Sequence, residues 1–255
     1  MLMKLLKSGW LLAALGLVLN GAVAADDSVT ETRAIDARVV RVMLNGMIDL
    51  KLRRGETPAL TLTGDRRAMA RITSTQSGDT LHLDTETRGF KFNRSALRVE
   101  LVLPALRELV SEGMGATELS GFSGDEIELT LDGAGSMKVN CNYRTIRANL
   151  GGVGSMQIWA SENDSVELDL HGAGYITLGG RSKALKATMS GLGSLNAQQF
   201  QAESVNLDMS GLGNASVNAR QNVSLNLSGL GSVTVYGKPL NRSISVDGLG
   251  KVSWK

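Results

Sequence analysis

The sequence predicts an all-β chain folded as a parallel β-helix, a solenoid with coils of about 19–20 residues, and three observations predict it. A Gly-x-Gly step recurs eight times, apolar residues recur around it with period two, and outward positions alternate in charge from one repeat to the next. The steps are Gly113/Gly115, Gly133/Gly135, Gly152/Gly154, Gly172/Gly174, Gly191/Gly193, Gly211/Gly213, Gly229/Gly231 and Gly248/Gly250, with gaps of 20, 19, 20, 19, 20, 18 and 19. A period this narrow is that of a stacked coil, in which no unit buries its apolar face alone.

Two residues past the second glycine stand Thr117, Met137, Met156, Ile176, Leu195, Ala215, Val233 and Val252, and two further on Leu119, Val139, Ile158, Leu178, Ala197, Val217, Val235 and Trp254. Ahead of the glycines run Leu131, Leu150, Leu170, Met189, Met209, Leu227 and Val246, preceded by Leu129, Ala148, Leu168, Ala187, Leu207, Leu225 and Ile244. Such alternation is that of a strand with one face inward. Each coil therefore reads as strand, Gly-x-Gly corner, strand and polar loop. Glycine suits the corner because a residue without Cβ turns sharply, at positive φ where needed, while neighbouring coils approach closely. The residue between the glycines is always apolar (Met114, Ala134, Val153, Ala173, Leu192, Leu212, Leu230, Leu249), which assigns it to the interior. Glu128, Arg147, Glu167 and Lys186 lie five residues before successive corners, so in-register stacking sets each beside its opposite. At a strand spacing of roughly 4.8 Å, eight coils make a rod on the order of 40 Å long.

The N-terminus reads as a secretory signal over residues 1–24. Lys4 and Lys7 precede an apolar run from Trp10 to Leu19, and Ala22-Val23-Ala24 forms the cleavage site. The run is too short to span a membrane comfortably, no cysteine follows it, and the mature chain is expected to begin at Ala25 or Asp26. Residues 26–110 form an N-terminal β region without Gly-x-Gly. Its strands are marked by Val40-Val42-Leu44, Ile48-Leu50-Leu52, Leu60-Leu62, Leu81-Leu83 and Leu97-Val99-Leu101-Leu103. Asp65 to Ala70 is the one place for a helical turn, while Ser77-Gly78-Asp79 and Arg88-Gly89 are turns. Pro104 ends the last strand, and Leu106-Arg107-Glu108-Leu109-Val110 leads into the repeats of 111–255. With no Pro/Ser/Gly linker between them, the N-terminal region is expected to continue the solenoid and cover its open apolar end.

The alternation around Gly46, Ile48, Leu50 and Gly55, the Leu101-Val102-Leu103-Pro104-Ala105-Leu106 strand, and the Ser-Gly-Leu-Gly-Ser/Asn units at Ser190, Ser210 and Ser228 resemble a bacterial family. It is the one described as the putative auto-transporter adhesin head, or GIN domain, of unknown function. The resemblance covers nearly all of the mature chain, from about Arg33 to Lys255. It implies a right-handed parallel β-helix similar in outline to pectin lyases, with no accepted catalytic residues and an adhesive or polysaccharide-related role.

The residues themselves offer little chemistry. Asp132 and Asp247 share a column about six coils apart, and Asp169 and Asp208 share another with Thr188 between them, so no catalytic carboxylate pair is expected. Gly133-Ala134-Gly135 lacks the third glycine of a dinucleotide fingerprint, and Ser155 stands where a calcium-binding nonapeptide repeat needs aspartate. No Gly-x-Ser-x-Gly elbow occurs, and His82 and His171 are isolated, so no cofactor or metal is expected. The lone Cys141 excludes a disulfide framework and reads as a structural thiol. The mature chain is close to neutral, which points neither to nucleic acid nor to a polybasic membrane patch.

What remains is surface. The columns flanking the corner (Asp132, Gly151, His171, Ser190, Ser210, Ser228, Asp247 and Ala116, Ser136, Ser155, Tyr175, Ser194, Asn214, Ser232, Lys251) form flat polar ladders suited to an extended glycan or another protein. Trp159 and Tyr236 count to the same outward column four coils apart, roughly 19 Å, and with Tyr143 and Tyr175 they are the expected aromatic contacts. The sequence thus reads as an exported, non-enzymatic binding module of the cell envelope, in the periplasm or at the surface. The alternatives are a polysaccharide-active enzyme of the pectin lyase type and a self-associating structural protein joined through an end coil.

Overall fold

The computed structural model describes residues 28–85 and 97–255. The expected signal and the Arg88-Gly89 turn lie outside the described residues. The strands are β1 (Ser28–Arg33), β2 (Arg41–Asn45), β3 (Ile48–Arg54), β4 (Ala59–Asp65), β5 (Ile72–Ser77), β6 (Thr80–Thr85), β7 (Leu97–Leu103) and β8 (Glu108–Ser111). They continue as β9 (Met114–Leu131), β10 (Ala134–Leu150), β11 (Val153–Leu170), β12 (Ala173–Met189), β13 (Leu192–Met209), β14 (Leu212–Leu227), β15 (Leu230–Tyr236), β16 (Asn241–Val246) and β17 (Lys251–Trp254). The helical turn α1 (Arg66–Met69) falls where the sequence placed it, and the Asp65 side chain caps it by accepting from the Ala68 N–H at 2.7 Å.

From β9 to β14 each strand is one coil, paired in parallel with the next. The solenoid makes about seven turns. An eighth is not completed, because the Gly248/Gly250 step leads only into the four-residue β17. The inward columns form one continuous core: Leu131, Leu150, Leu170, Met189, Met209 and Leu227 are buried, as are Met137, Met156, Ile176, Leu195, Ala215 and Val233. Each buried Leu, Ile or Met contributes about 1.5–3 kcal/mol, so the stack is held mainly by contacts between adjacent coils.

Three expectations about the coil need correction. The polar segment is not a loop: the strand runs on through it and turns at a bulge, seen as register shifts at Asn140/Cys141, Ala160/Asn163 and Thr177/Gly179. The second correction concerns the residue between the glycines. Alternation passes unbroken through Gly-x-Gly, so the glycines face inward and the residue between them faces solvent; Val153 and Leu192 are 64% and 57% exposed.

The third correction is that the two glycines of a step are not equivalent corners. The chain bends at the first of them, Gly133, Gly152, Gly172, Gly191, Gly211 and Gly229, each lying between two strands. A Cβ on Gly152 would lie 2.0 Å from the Gly133 carbonyl oxygen, which already accepts the Val153 N–H at 3.0 Å. Gly174, expected to be a corner, is instead an extended residue inside β12, paired with Gly154 and Gly193, and the same holds for Gly135, Gly154, Gly193, Gly213 and Gly231 in their own strands. Space excludes a side chain at Gly174: a Cβ there would meet the Gly154 carbonyl oxygen at 2.5 Å and Leu150 Cδ2 at 2.7 Å. Gly250 departs from the expected role in the other direction. It belongs to no strand, and its Cβ would find nothing nearer than Leu227 Cδ2 at 3.2 Å, so close coil packing does not demand glycine there as it does at Gly174. The atoms a Cβ on Gly250 would meet, like those at Gly174, belong to the preceding coil, but they stand farther off. Positive φ is not the general reason for these glycines, since within the eight steps only Gly115 and Gly248 have it.

The charge ladder forms as expected. Glu128, Arg147, Glu167 and Lys186 are register neighbours, and Arg147 pairs with Glu167 at 3.5 Å and also with Glu126. These pairs are solvent-exposed, so each adds at most about 1 kcal/mol.

At the N-terminal end the layers do not follow chain order. β2 lies between β6 and β8, and β3 between β7 and β9, all in parallel. Beyond this layer the direction reverses: β5 pairs antiparallel with β6 across the Gly78 turn, β4 with β7, and β1 with β4. β4 and β5 thus run against the coils, while β1, reversed a second time, runs with them again at the outer edge.

Candidate binding face

Because the corner keeps strict alternation, it displays three outward columns side by side. The central one is the x position of Gly-x-Gly: Met114, Ala134, Val153, Ala173, Leu192, Leu212 and Leu230 pair in unbroken register, and Met47 bridges to Met114 below them. All seven are exposed. On one side stand Asp132, His171, Ser190, Ser210 and Ser228, and on the other Ala116, Ser136, Ser155, Tyr175, Ser194, Asn214 and Ser232. Ser232 donates to Asn214 Oδ1 at 2.6 Å, so part of the polar ladder is tied together between coils. The face expected to be polar is therefore apolar along its midline and polar at its margins. At roughly 4.8 Å per rung the apolar line from Met47 to Leu230 spans about 34 Å. Counting parity through the glycines would have found it; the apolar character of the column argued the other way.

The four expected aromatic contacts separate. Trp159 is exposed, its ring lying over Gly179, where an added Cβ would meet ring carbons at 2.1 Å. Tyr175 is exposed within the margin column, and its hydroxyl accepts from Asn196 Nδ2 at 3.1 Å. Tyr236 is half-buried, with the Lys255 ammonium 5.8 Å from its ring centroid. Trp159 and Tyr236 do not share one column: Trp159 pairs with Gly179 and Gly179 with Gln199, whereas Tyr236 pairs with Asn218 and Asn218 with Gln201. An irregularity in β13 shifts the register between them. Tyr143 is no surface contact at all. It is 2% exposed, with its hydroxyl donating to the Leu106 carbonyl at 2.7 Å and burial holding its phenol well above the usual range.

Asp132 and Asp247 remain coils apart, but elsewhere on the coil Glu162, Asp164 and Glu203 line one pocket with Arg144, Arg181, Lys183 and Arg220, and there Asp164 pairs with Lys183 at 2.6 Å and with Arg144 at 3.0 Å. Asp169, Thr188 and Asp208 are register neighbours, and Asp208 accepts from Asn226 Nδ2 at 3.1 Å. His171 is better placed than its sequence position suggested, with Nδ1 3.4 Å from Asp169 Oδ1. Its Nε2 and the Asp132 carboxylate both lie over Gly151, at 2.8 and 2.3 Å from where a Cβ would be. No hydrogen bond joins His171 to Ser190 among the described residues. Among the described residues no group of three or more His, Cys, Asp or Glu could hold a metal ion.

Cys141 is buried, and desolvation pushes its thiol up to about 12. It is expected to resist iodoacetamide in the native protein at pH 8 and to react fully once unfolded in guanidinium. Rapid alkylation of the native protein, followed by mass spectrometry, would contradict this burial.

Residues 40–239 match the family model described as "Putative auto-transporter adhesin, head GIN domain". A search of the curated proteins finds no match. Among solved structures, one described as a putative adhesin from Parabacteroides distasonis aligns with a TM-score of 0.80 at 18% identity, covering 89% of this chain and 97% of that one. A putative lipid binding protein from the same species aligns with a TM-score of 0.78 at 21% identity, covering 91% and 98%. A putative adhesin from Parabacteroides merdae aligns with a TM-score of 0.73 at 19% identity, covering 91% and 97%. At these identities the likeness is one of fold. Among the described residues no helix is long and apolar enough to cross a membrane.

Proposed function

This chain belongs to the putative auto-transporter adhesin head, GIN domain family, and from that premise we propose that it is an exported, non-enzymatic adhesion module of the cell envelope whose contact surface is the corner face. The observation that carries this reading is the in-register apolar ladder with polar, mostly hydroxyl-bearing columns on both sides. Sugar rings present a C–H face and a hydroxyl rim, and an extended polysaccharide lying along the solenoid axis meets aliphatic rungs under its rings and hydrogen-bonding groups at its edges. Apolar contact supplies the affinity and the polar margins the orientation. Tyr175 sits within the margin and Trp159 further along the same coil side, so both belong to the proposed contact and Tyr143 does not. Where acidic and basic side chains do converge, Lys183 and Arg144 hold the Asp164 carboxyl below its usual range rather than raising it as a general acid needs, which supports the non-enzymatic reading.

The test is a screen of envelope polysaccharides for binding, with the same samples assayed for new reducing or unsaturated sugar ends. Binding without product is expected. Leu192→Asp combined with Leu212→Asp should weaken it by roughly tenfold or more, through lost apolar burial, while leaving the melting temperature nearly unchanged because both side chains are exposed. Product formation would mark an enzyme instead. Undiminished binding by the double variant would move the contact off the corner face.

A further inference from the structure

The two ends of the solenoid differ, and the C-terminal one is open. β14 is covered on its far side by β15 and β16, and β15 in turn by β17, but no described strand covers β16. Core columns consequently surface there: Ile244 is 43% exposed where its neighbour Leu225 is 1% exposed, and Val246 follows Leu227 in the same way. Leu249, at the last Gly-x-Gly step, and Leu240, at the opposite corner, are 85% and 87% exposed, more than any other large apolar side chain among the described residues.

The same end concentrates positive charge. Residues 237–255 hold Lys238, Arg242, Lys251 and Lys255 against the single Asp247, a net of +3, whereas the whole chain is +2 and the remaining residues therefore sum to −1. Neutrality along the sequence conceals a polarity along the rod. Two of these cations are held beside aromatic rings, Arg242 at 4.2 Å from the Trp254 centroid and Lys255 beside Tyr236.

We propose that this end docks on an anionic lipid surface, with Leu240 and Leu249 entering the interface and Lys238, Arg242, Lys251 and Lys255 meeting lipid phosphates. Basic side chains around protruding apolar ones, with Trp and Tyr at the boundary, are the chemistry of interfacial membrane binding. A second copy fits less well. End-to-end contact would oppose +3 with +3 inside one interface, and head-to-tail stacking in continuous parallel register would set β16 against β5, which runs against the coils. The two leucines stand far apart on the coil and protrude singly, which suits a fluid apolar phase more than a shaped protein pocket.

The experiment is vesicle flotation of the full chain with phosphatidylcholine alone and with phosphatidylglycerol added, at low and high salt. An environment-sensitive dye on Leu249→Cys reports the depth of that corner, with Glu56→Cys as a control in the N-terminal β region; native Cys141 is buried and silent. Binding that needs phosphatidylglycerol, fails in high salt and blue-shifts the dye at 249 but not at 56 is the expected result. The pair Lys238→Glu and Lys251→Glu should reduce it by roughly a factor of ten or more, and Leu240→Asp with Leu249→Asp should abolish binding at that end. Because these side chains are exposed, melting should be unaltered. Absence of vesicle binding would overturn the proposal, as would binding with the dye at 249 left in water, which would assign attachment to another segment. A dimer in sedimentation equilibrium that the same variants dissociate would assign the end to a second copy.

Discussion

Gly172→Ala should leave little or no folded protein, although it adds a single methyl group. The new Cβ would stand 2.0 Å from the Gly152 carbonyl oxygen and 2.5 Å from that of Gly151, both backbone atoms of the preceding coil. The Gly152 carbonyl accepts the Ala173 N–H at 3.0 Å and cannot turn away without opening the ladder. Relief therefore means separating two coils at the corner, with loss of hydrogen bonds there and of the packing of Leu150 on Leu170. We expect a destabilisation of about 4 kcal/mol or more, at the extreme of single substitutions. Ala173→Ser, one residue along but pointing outward, should change stability by no more than about 0.5 kcal/mol. Urea melts of the two variants check the contrast, and near-equal midpoints would mean that the coils are not in contact at the corner.

Tyr143→Ala should have the second-largest effect, about 3–5 kcal/mol, as expected for emptying a large buried aromatic site. The ring is in the core at the bulged corner, and its hydroxyl is the donor for the Leu106 carbonyl. Tyr143→Phe keeps the ring and strands that buried carbonyl, at a cost of about 1–3 kcal/mol. Trp159→Ala, by contrast, uncovers Gly179 and should cost far less, while weakening any ligand that uses this side of the coil. If thermal or denaturant unfolding ranked Trp159→Ala above Tyr143→Ala, the assignment of one to the surface and the other to the core would be reversed.

Most of the solenoid could be read from the sequence because stacking in register converts a spatial column into a fixed spacing. Met137, Met156 and Ile176 align in the fold as they do in the repeat, and so do Glu128, Arg147 and Glu167. The corner column was misassigned because two rules conflicted. Hydrophobicity placed Leu192 and Leu212 inside, while alternation counted through Gly191 and Gly193 placed them outside, and the backbone obeys alternation. The same pattern hid the difference between the glycines of a step: the repeat spells Gly172 and Gly174 alike, yet one is at the bend and the other is extended under its neighbours. Gly250 keeps the spelling, yet the preceding coil comes no nearer than 3.2 Å to where its Cβ would be. Tyr143 was misjudged because its aromatic, polar-tipped side chain suggested a surface contact, although alternation counted from Met137 through Val139 and Cys141 runs unbroken to it and places it inside. The separation of Trp159 from Tyr236 has another cause, the register shift in β13, which counting from the corner does not reveal. Pairing of β2 with both β6 and β8 joins segments far apart in sequence and had no local signal, whereas the basic stretch holding Lys238, Arg242, Lys251 and Lys255 was legible and gained meaning only with the uncovered edge of β16.

The out-of-order N-terminal layer has a consequence for how the chain acquires its structure. β2 and β3 come early in the chain, yet their partners β6, β7, β8 and β9 follow later, so this layer cannot form until the chain as far as Ser120 is free to fold. Closing those long loops is entropically the slowest step. Each later coil then meets a finished edge and needs only its immediate predecessor. The barrier to folding is thus concentrated in the N-terminal layer, and growth of the rod afterwards is a succession of small additions from the nucleated end.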